Sequence, residues 1–105
     1  AAVAGGIRVL LEQRGVTADD IASVELAGGF GNYLSPESAV RIGMLPRACL
    51  SKIRPLGNTA LAGASMLALD GENWRKLAEI PEKCRYLELS GRDDFSHAFT
   101  DDLTF

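Results

Sequence analysis

Three glycines close a short apolar run in Val24-Glu25-Leu26-Ala27-Gly28-Gly29-Phe30-Gly31-Asn32-Tyr33. Glycine has no Cβ, so backbone rich in it can turn through positive φ or approach another group closely. The chemistry this permits is recognition of a nucleotide by main-chain atoms at the end of a strand. In open α/β sheets that edge is where ligands bind. The same glycines also fit a plain turn, and spacing alone leaves both readings open. Two phosphate fingerprints are excluded. Gly29-x-Gly31 begins the dinucleotide pattern, but the third glycine would fall at Leu34. No Gly-x-x-x-x-Gly-Lys-Ser/Thr run occurs.

A second signal of this kind is Gly57-Asn58, followed by Thr59-Ala60-Leu61-Ala62-Gly63-Ala64-Ser65-Met66-Leu67-Ala68-Leu69. Asn58 suits an N-cap and Gly71 a stop. Ala60, Gly63, Ala64 and Leu67 recur at helical spacing and form a face of mostly small side chains. Such a face admits close approach of a sheet, a helix or a ligand, and plain packing accounts for most such helices.

Other chemistry is sparse. Cys49 and Cys84 lie far apart, and His97 has no Cys or His neighbour in sequence. Together they do not form a common four-ligand zinc or iron–sulfur site without outside help. Two thiols in a reducing compartment is the favoured reading. Asp93, Asp94, Asp101 and Asp102 read as the solvated face of a helix rather than a hard-cation site. A catalytic reading of Glu25 is weaker than that of a half-exposed strand charge. No nucleophile–base constellation is visible, which argues against a small stand-alone enzyme.

The elements that position these residues follow from periodicity. Val3, Ile7, Leu10 and Leu11 predict a helix over residues 1–14, stopped by Gly15. Gly5-Gly6 weakens that helix by about 1 kcal/mol per glycine, and is better tolerated where a helix presses on a neighbour. Thr17-Ala18-Asp19-Asp20 resembles a capping box. Residues 23–27 form a strand with Val24 and Leu26 on one side. Ser35, Pro36 and Glu37 open a helix over residues 36–42, with Gly43 its stop. Residues 47–51 read as loop. Residues 52–56 form a short strand whose Pro55 marks an edge or end.

Residues 72–83 are helical with Trp74, Leu77, Ala78 and Ile80 inward, and Pro81 should kink or end the helix near Ile80. Residues 86–90 alternate and predict a third strand. The tail, residues 93–103, is a helix with Asp93 as N-cap and a Phe95, Phe99, Leu103 stripe. Alternating strands and helices predict an α/β layer. Three strands are few for an independent domain, which fits a fragment of a larger one.

The composition bounds the function. A chain of 105 residues, 47% hydrophobic and 24% charged, is one ordinary globular unit or part of one. A net charge of −3 argues against a general nucleic-acid footprint. No apolar run reaches the roughly 20 residues of a membrane span, and no signal peptide is visible. The expectation is a cytoplasmic protein that binds neither nucleic acid nor membrane.

The order Leu26-Ala-Gly-Gly-Phe-Gly-Asn-Tyr33, Pro36-Glu-Ser-Ala39, Ile42-Gly-Met-Leu-Pro46, Gly57-Asn-Thr-Ala60 with Gly63-Ala64, Tyr86-Leu-Glu-Leu89, and Phe95, Phe99 and Phe105 resembles the C-terminal part of the reductive activators of corrinoid proteins. The resemblance runs over nearly the whole chain, and the two glycine blocks at this separation are its most specific part. It implies a fragment of an actin-like, ribonuclease-H-like ATPase domain of the acetate and sugar kinase, heat-shock chaperone and actin superfamily.

On that resemblance Gly28, Gly29, Phe30 and Gly31 match an adenosine motif. Gly57 and Asn58 open the helix that packs at the hinge between two lobes. ATP is then the cofactor, with only part of its site in this chain. An iron–sulfur cluster belongs to the parent protein outside the chain. The partner is a corrinoid protein of a methyltransferase system, and a homodimer is possible. The implied work is ATP-driven reduction of cob(II)amide to cob(I)amide. The superfamily's two phosphate motifs are not in this chain, so hydrolysis by it alone is not expected. The other reading is a docking or dimerisation module that binds no nucleotide.

Overall fold

The computed structural model describes residues 1–29 and 33–104. Helix α1 spans Ala2–Arg14 and stops at Gly15, which takes φ 67°. A 3-10 turn, Ala18–Asp20, follows with the capping box intact: Asp20 Oδ2 accepts from the Thr17 N–H at 2.8 Å. Strand β1 is Val24–Ala27 and helix α2 is Pro36–Arg41. A second 3-10 turn, Arg47–Lys52, occupies the predicted loop and leads into strand β2, Ile53–Gly57. Helices α3 (Thr59–Leu69), α4 (Glu72–Lys83) and α5 (Asp93–Asp101) complete the order.

Among the described residues the sheet has two strands, β1 and β2, paired in parallel. Parallel neighbours need a crossover connection, here α2 and the second 3-10 turn. The register matches Val24 with Ile53, Glu25 with Arg54 and Leu26 with Pro55, then slips so that Ala27 faces Gly57. Pro55 brings no N–H to the ladder, and the slip falls where that donor is missing. Val24 and Leu26 are half-buried, while Glu25 and Ala27 are exposed, as alternation predicts.

Burial is concentrated in two places. Val9 of α1 and Ala98 of α5 are buried where those helices cross. Ala39, Leu45 and Cys49 are buried within the crossover. Cys49 is fully enclosed, its Sγ 3.8 Å from the Ala18 carbonyl, whereas Cys84 is exposed, and both are free thiols. Gly5 is what lets α1 meet α5: a Cβ there would stand 3.2 Å from the Phe99 backbone nitrogen. At Gly6 the nearest atom is the end of Leu89, at 3.4 Å. The predicted tolerance of Gly5-Gly6 against a neighbour is therefore met, and Gly5 carries most of it.

Four local expectations are corrected. Helix α4 runs through Pro81 to Lys83. The proline sits in the last turn of an exposed helix, where water can hydrate the carbonyl it leaves without a donor. The apolar residues of α4 do not face inward: Trp74 is 59% exposed, and Leu77, Ala78 and Ile80 are exposed too. Residues 86–90 alternate in burial but form no strand. No described strand lies beside them, and the Ser90 N–H is taken by Glu88 Oε1 at 3.1 Å. Asp93 is the first helical residue rather than the cap, which falls at Arg92. The Phe stripe survives as a tilted Phe95–Phe99 pair, with ring centroids 6.3 Å apart.

The described chain is long for its size. Its radius of gyration is 16.1 Å, against about 13 Å for a compact domain of this length. The α3–α4 hairpin leaves Leu61, Met66 and Leu69 open alongside Trp74, and buries no residue of either helix.

Candidate functional site

The two glycine signals, 29 residues apart in sequence, meet in space. Strands β1 and β2 end side by side, and the Gly28 N–H donates to the Gly57 carbonyl at 2.7 Å. Both residues hold positive φ, 88° at Gly28 and 71° at Gly57. Side chains disfavour that torsion region, so glycine at both positions answers a backbone need. Parallel strands bring their carboxyl ends to one edge, and ligands of open α/β sheets bind outside that edge.

Gly29 differs from its neighbour. Its φ is not in the left-handed region, and a Cβ there would meet nothing within 4 Å. Nothing inside the described residues requires glycine at this position. Gly28 likewise has open space where a Cβ would stand. Among the described residues, the edge therefore leaves its main chain uncovered at Gly28 and Gly29. Phe30 and Gly31, the other two predicted members of this wall, lie outside the described residues.

Asn58 leads from the edge into α3. Its Oδ1 accepts from the Leu61 N–H at 3.0 Å, which makes it the N-cap the sequence predicts. The small-residue face of α3 then lines a groove of about 440 Å³, shared with α4. Ala60, Gly63 and Ala64 form one wall, and Leu77 and Ile80 the other. Thr59, the residue after the cap, also lines the groove. Asn73 closes the hairpin by donating from Nδ2 to the Met66 carbonyl at 2.8 Å. Neither Asn73 nor Lys76, which also lines the groove, was marked by motif or spacing.

Electrostatics at the edge is quiet. Glu25 accepts from Arg54 Nη2 at 2.8 Å across the strand pair, with both side chains largely exposed. That is the structural strand charge expected, held by its register partner. Beneath the sheet, Ser35 caps α2 by accepting from the Ser38 N–H at 3.2 Å. The Glu37 carboxyl is held below the usual range by its backbone N–H and by the Ser35 hydroxyl. Among the described residues, no three His, Cys, Asp or Glu side chains come together as a metal site. No helix in the described residues is long and apolar enough to cross a membrane.

The chain is similar to known proteins over nearly its whole length. A curated relative, the corrinoid activation enzyme RamQ of Eubacterium limosum, is 31% identical over 99 residues, which cover 94% of this chain and 17% of that protein. A solved structure named as a reductive activator for corrinoid, iron-sulfur protein superposes with a TM-score of 0.84 at 35% identity, over 93% of this chain and 16% of that one. This chain thus spans about a sixth of the length of either. The family described as the C-terminal domain of RACo, the ASKHA domain, matches residues 1–105. The chain belongs to that family.

Proposed function

We propose that this chain is the C-terminal part of an ATP-binding domain in a corrinoid reductive activator, and that its glycine edge forms part of the wall for adenosine. The observation that carries this reading is the Gly28–Gly57 junction, with space over Gly28 and Gly29 that no described residue fills. Those two glycines fit such a role, because main chain without Cβ atoms accepts a flat group at van der Waals contact. Residues 28–31 and the Gly57-Asn58 turn would flank the nucleotide. ATP, when bound, supplies the free energy for an electron transfer that is otherwise uphill. In the same reading an iron–sulfur cluster held elsewhere in the protein would supply the electron for reducing cob(II)amide to the cob(I)amide that corrinoid-dependent methyl transfer needs. A corrinoid protein is the partner, and the cytoplasm is its place of work.

What this chain's own residues do is mechanical. β2 passes through Gly57 and Asn58 directly into α3, so a displacement at the sheet edge reaches the helix without an intervening loop. The small face of α3 admits close packing of a second helix, as a hinge contact requires. A nucleotide changes affinity for the partner only if it favours one hinge state over the other.

Gly29→Val in the full-length protein tests the site. The isopropyl group fills the open space over Gly29, and nucleotide affinity should fall by at least about tenfold, the weight of roughly 1.4 kcal/mol. The visible spectrum of the intact protein should stay unchanged. Unaltered ATP affinity in that variant would remove the assignment. The exposed apolar surface of α3 and α4 favours a second reading, a docking module that binds no nucleotide. Titrating nucleotide into the full-length protein separates the two, because a pure docking module shows no saturable binding.

A further inference from the structure

A cleft of about 640 Å³ lies between the end of α1 and the segment after α4. Arg14, Lys83 and Arg85 line it together with Leu10, Tyr86 and Leu87, and no described carboxylate does. In a chain of net charge −3 this is a local reversal of sign. Arg8, Arg54, Arg75 and Arg92 each pair with a carboxylate. Arg14, Lys83 and Arg85 form no ion pair among the described residues.

Helix ends explain only part of this charge. Arg14 and Lys83 stand in the last turns of α1 and α4. A helix C-terminus carries about half a negative charge, so the two ends offset about one of three cations. Arg85 lies beyond α4 and answers to neither. Glu88, two residues from the lining Tyr86, is engaged by the Tyr86 hydroxyl and the Ser90 N–H. Those bonds hold the Glu88 carboxyl below its usual range, with the Tyr86 hydroxyl the larger cause.

We propose that this cleft docks an acidic segment of a partner protein that carries apolar side chains among its carboxylates. Arginine forks take carboxylates bidentately. Tyr86, 85% exposed, and Leu10, 49% exposed, offer the apolar floor for the residues between them. Tyrosine and arginine are the types enriched at protein interfaces. A small free anion fits less well. None of the lining residues opens a helix, so no helix N-terminus aims N–H groups into the cleft, and the two C-terminal ends disfavour a compact negative charge between them.

The test uses the full-length protein and a fluorescein-labelled peptide, Glu-Asp-Leu-Glu-Phe-Asp-Glu, followed by fluorescence anisotropy at low ionic strength. Saturable binding is expected, weakened at least about tenfold by the double variant Arg14→Glu, Arg85→Glu. Tyr86→Ala should weaken it by about threefold, and Arg85→Ala, a plain truncation of an exposed side chain, by a similar factor. Raising salt to physiological strength should weaken it further. Three results overturn the proposal: no saturable binding, binding that ignores the charge reversal, or inorganic triphosphate binding through Arg14 and Arg85 while the peptide does not bind. Each leaves the nucleotide reading standing, since the cleft shares no residue with the glycine edge.

Discussion

Gly5 and Gly28 occupy the same residue type for opposite reasons. At Gly5 the torsion is ordinary and the space is full: the backbone of α5 stands where a side chain would go. At Gly28 no described residue fills the space and the torsion is special, with φ 88°. The first glycine reports an internal neighbour, and the second reports a turn with an open approach. Gly29, one residue on, has neither a neighbour among the described residues nor a special torsion. That comparison separates glycines that hold the fold together from those that leave room for something else.

The largest effect should come from filling the crowded site. Gly5→Val drives branched carbons into the Phe99 backbone, and overpacking of this kind costs up to about 3 kcal/mol. In the intact protein, hydrogen exchange across α1 should then quicken by about a hundredfold, since each 1.4 kcal/mol is a factor of ten. Unchanged exchange would mean that α5 moves aside easily and that Gly5 is not a packing glycine. Gly28→Ala comes next. It meets no atom of the described residues but must hold a left-handed torsion, at about 1–2 kcal/mol. Exchange at the β1 and β2 amides reports it, and Gly29→Ala in the same assay should stay within about 0.5 kcal/mol of the parent.

Gly6→Ala sharpens the contrast from the other side. Its new methyl meets only the flexible end of Leu89, and the helix gains about 1 kcal/mol of propensity. The substitution should slow exchange in α1 by up to about fivefold, whereas a faster rate would place Gly6 with Gly5. The smallest effect is an acid titration. The Thr17 backbone N–H, then its hydroxyl, hold the Asp20 carboxyl below the usual value. A depressed folded-state value means that the capping box stabilises fully above the ordinary carboxylate range and loses that contribution as pH falls through the depressed value. The Thr17 amide resonance should titrate with a midpoint below that of an ordinary aspartate, and Asp20→Asn should abolish that titration.

Much of this layout was legible because local chemistry decides it. Ser35, Asn58 and Thr17 each carry a cap whose partner lies three residues away, so sequence holds both halves of the bond. The alternation of Val24 and Leu26 likewise needs only one buried face. Residues 86–90 show where such reasoning stops. Their period is that of a strand, yet a strand is defined by a neighbour, and periodicity carries no information about who that neighbour is. Trp74, Leu77 and Ile80 show the same limit for a helix: an amphipathic stripe says which face wants cover, and not what supplies it.

At the candidate site the glycines and Asn58 were marked in advance. Their meeting through the Gly28–Gly57 bond was not, because it depends on parallel pairing and a slipped register. Nor did any motif mark the cationic cleft. Arg14 and Arg85 are 71 positions apart in sequence, and only the fold brings both to its walls.

The two thiols differ in a way that an experimenter can use. Cys49 is sealed within the crossover, while Cys84 stands open at the end of α4, one residue from both Lys83 and Arg85. A maleimide reagent applied to this folded chain should modify one position and spare the other. The molecule therefore brings its own attachment point for a spin label or dye beside the cationic cleft, and the arrival of a visitor there could be watched without engineering a cysteine.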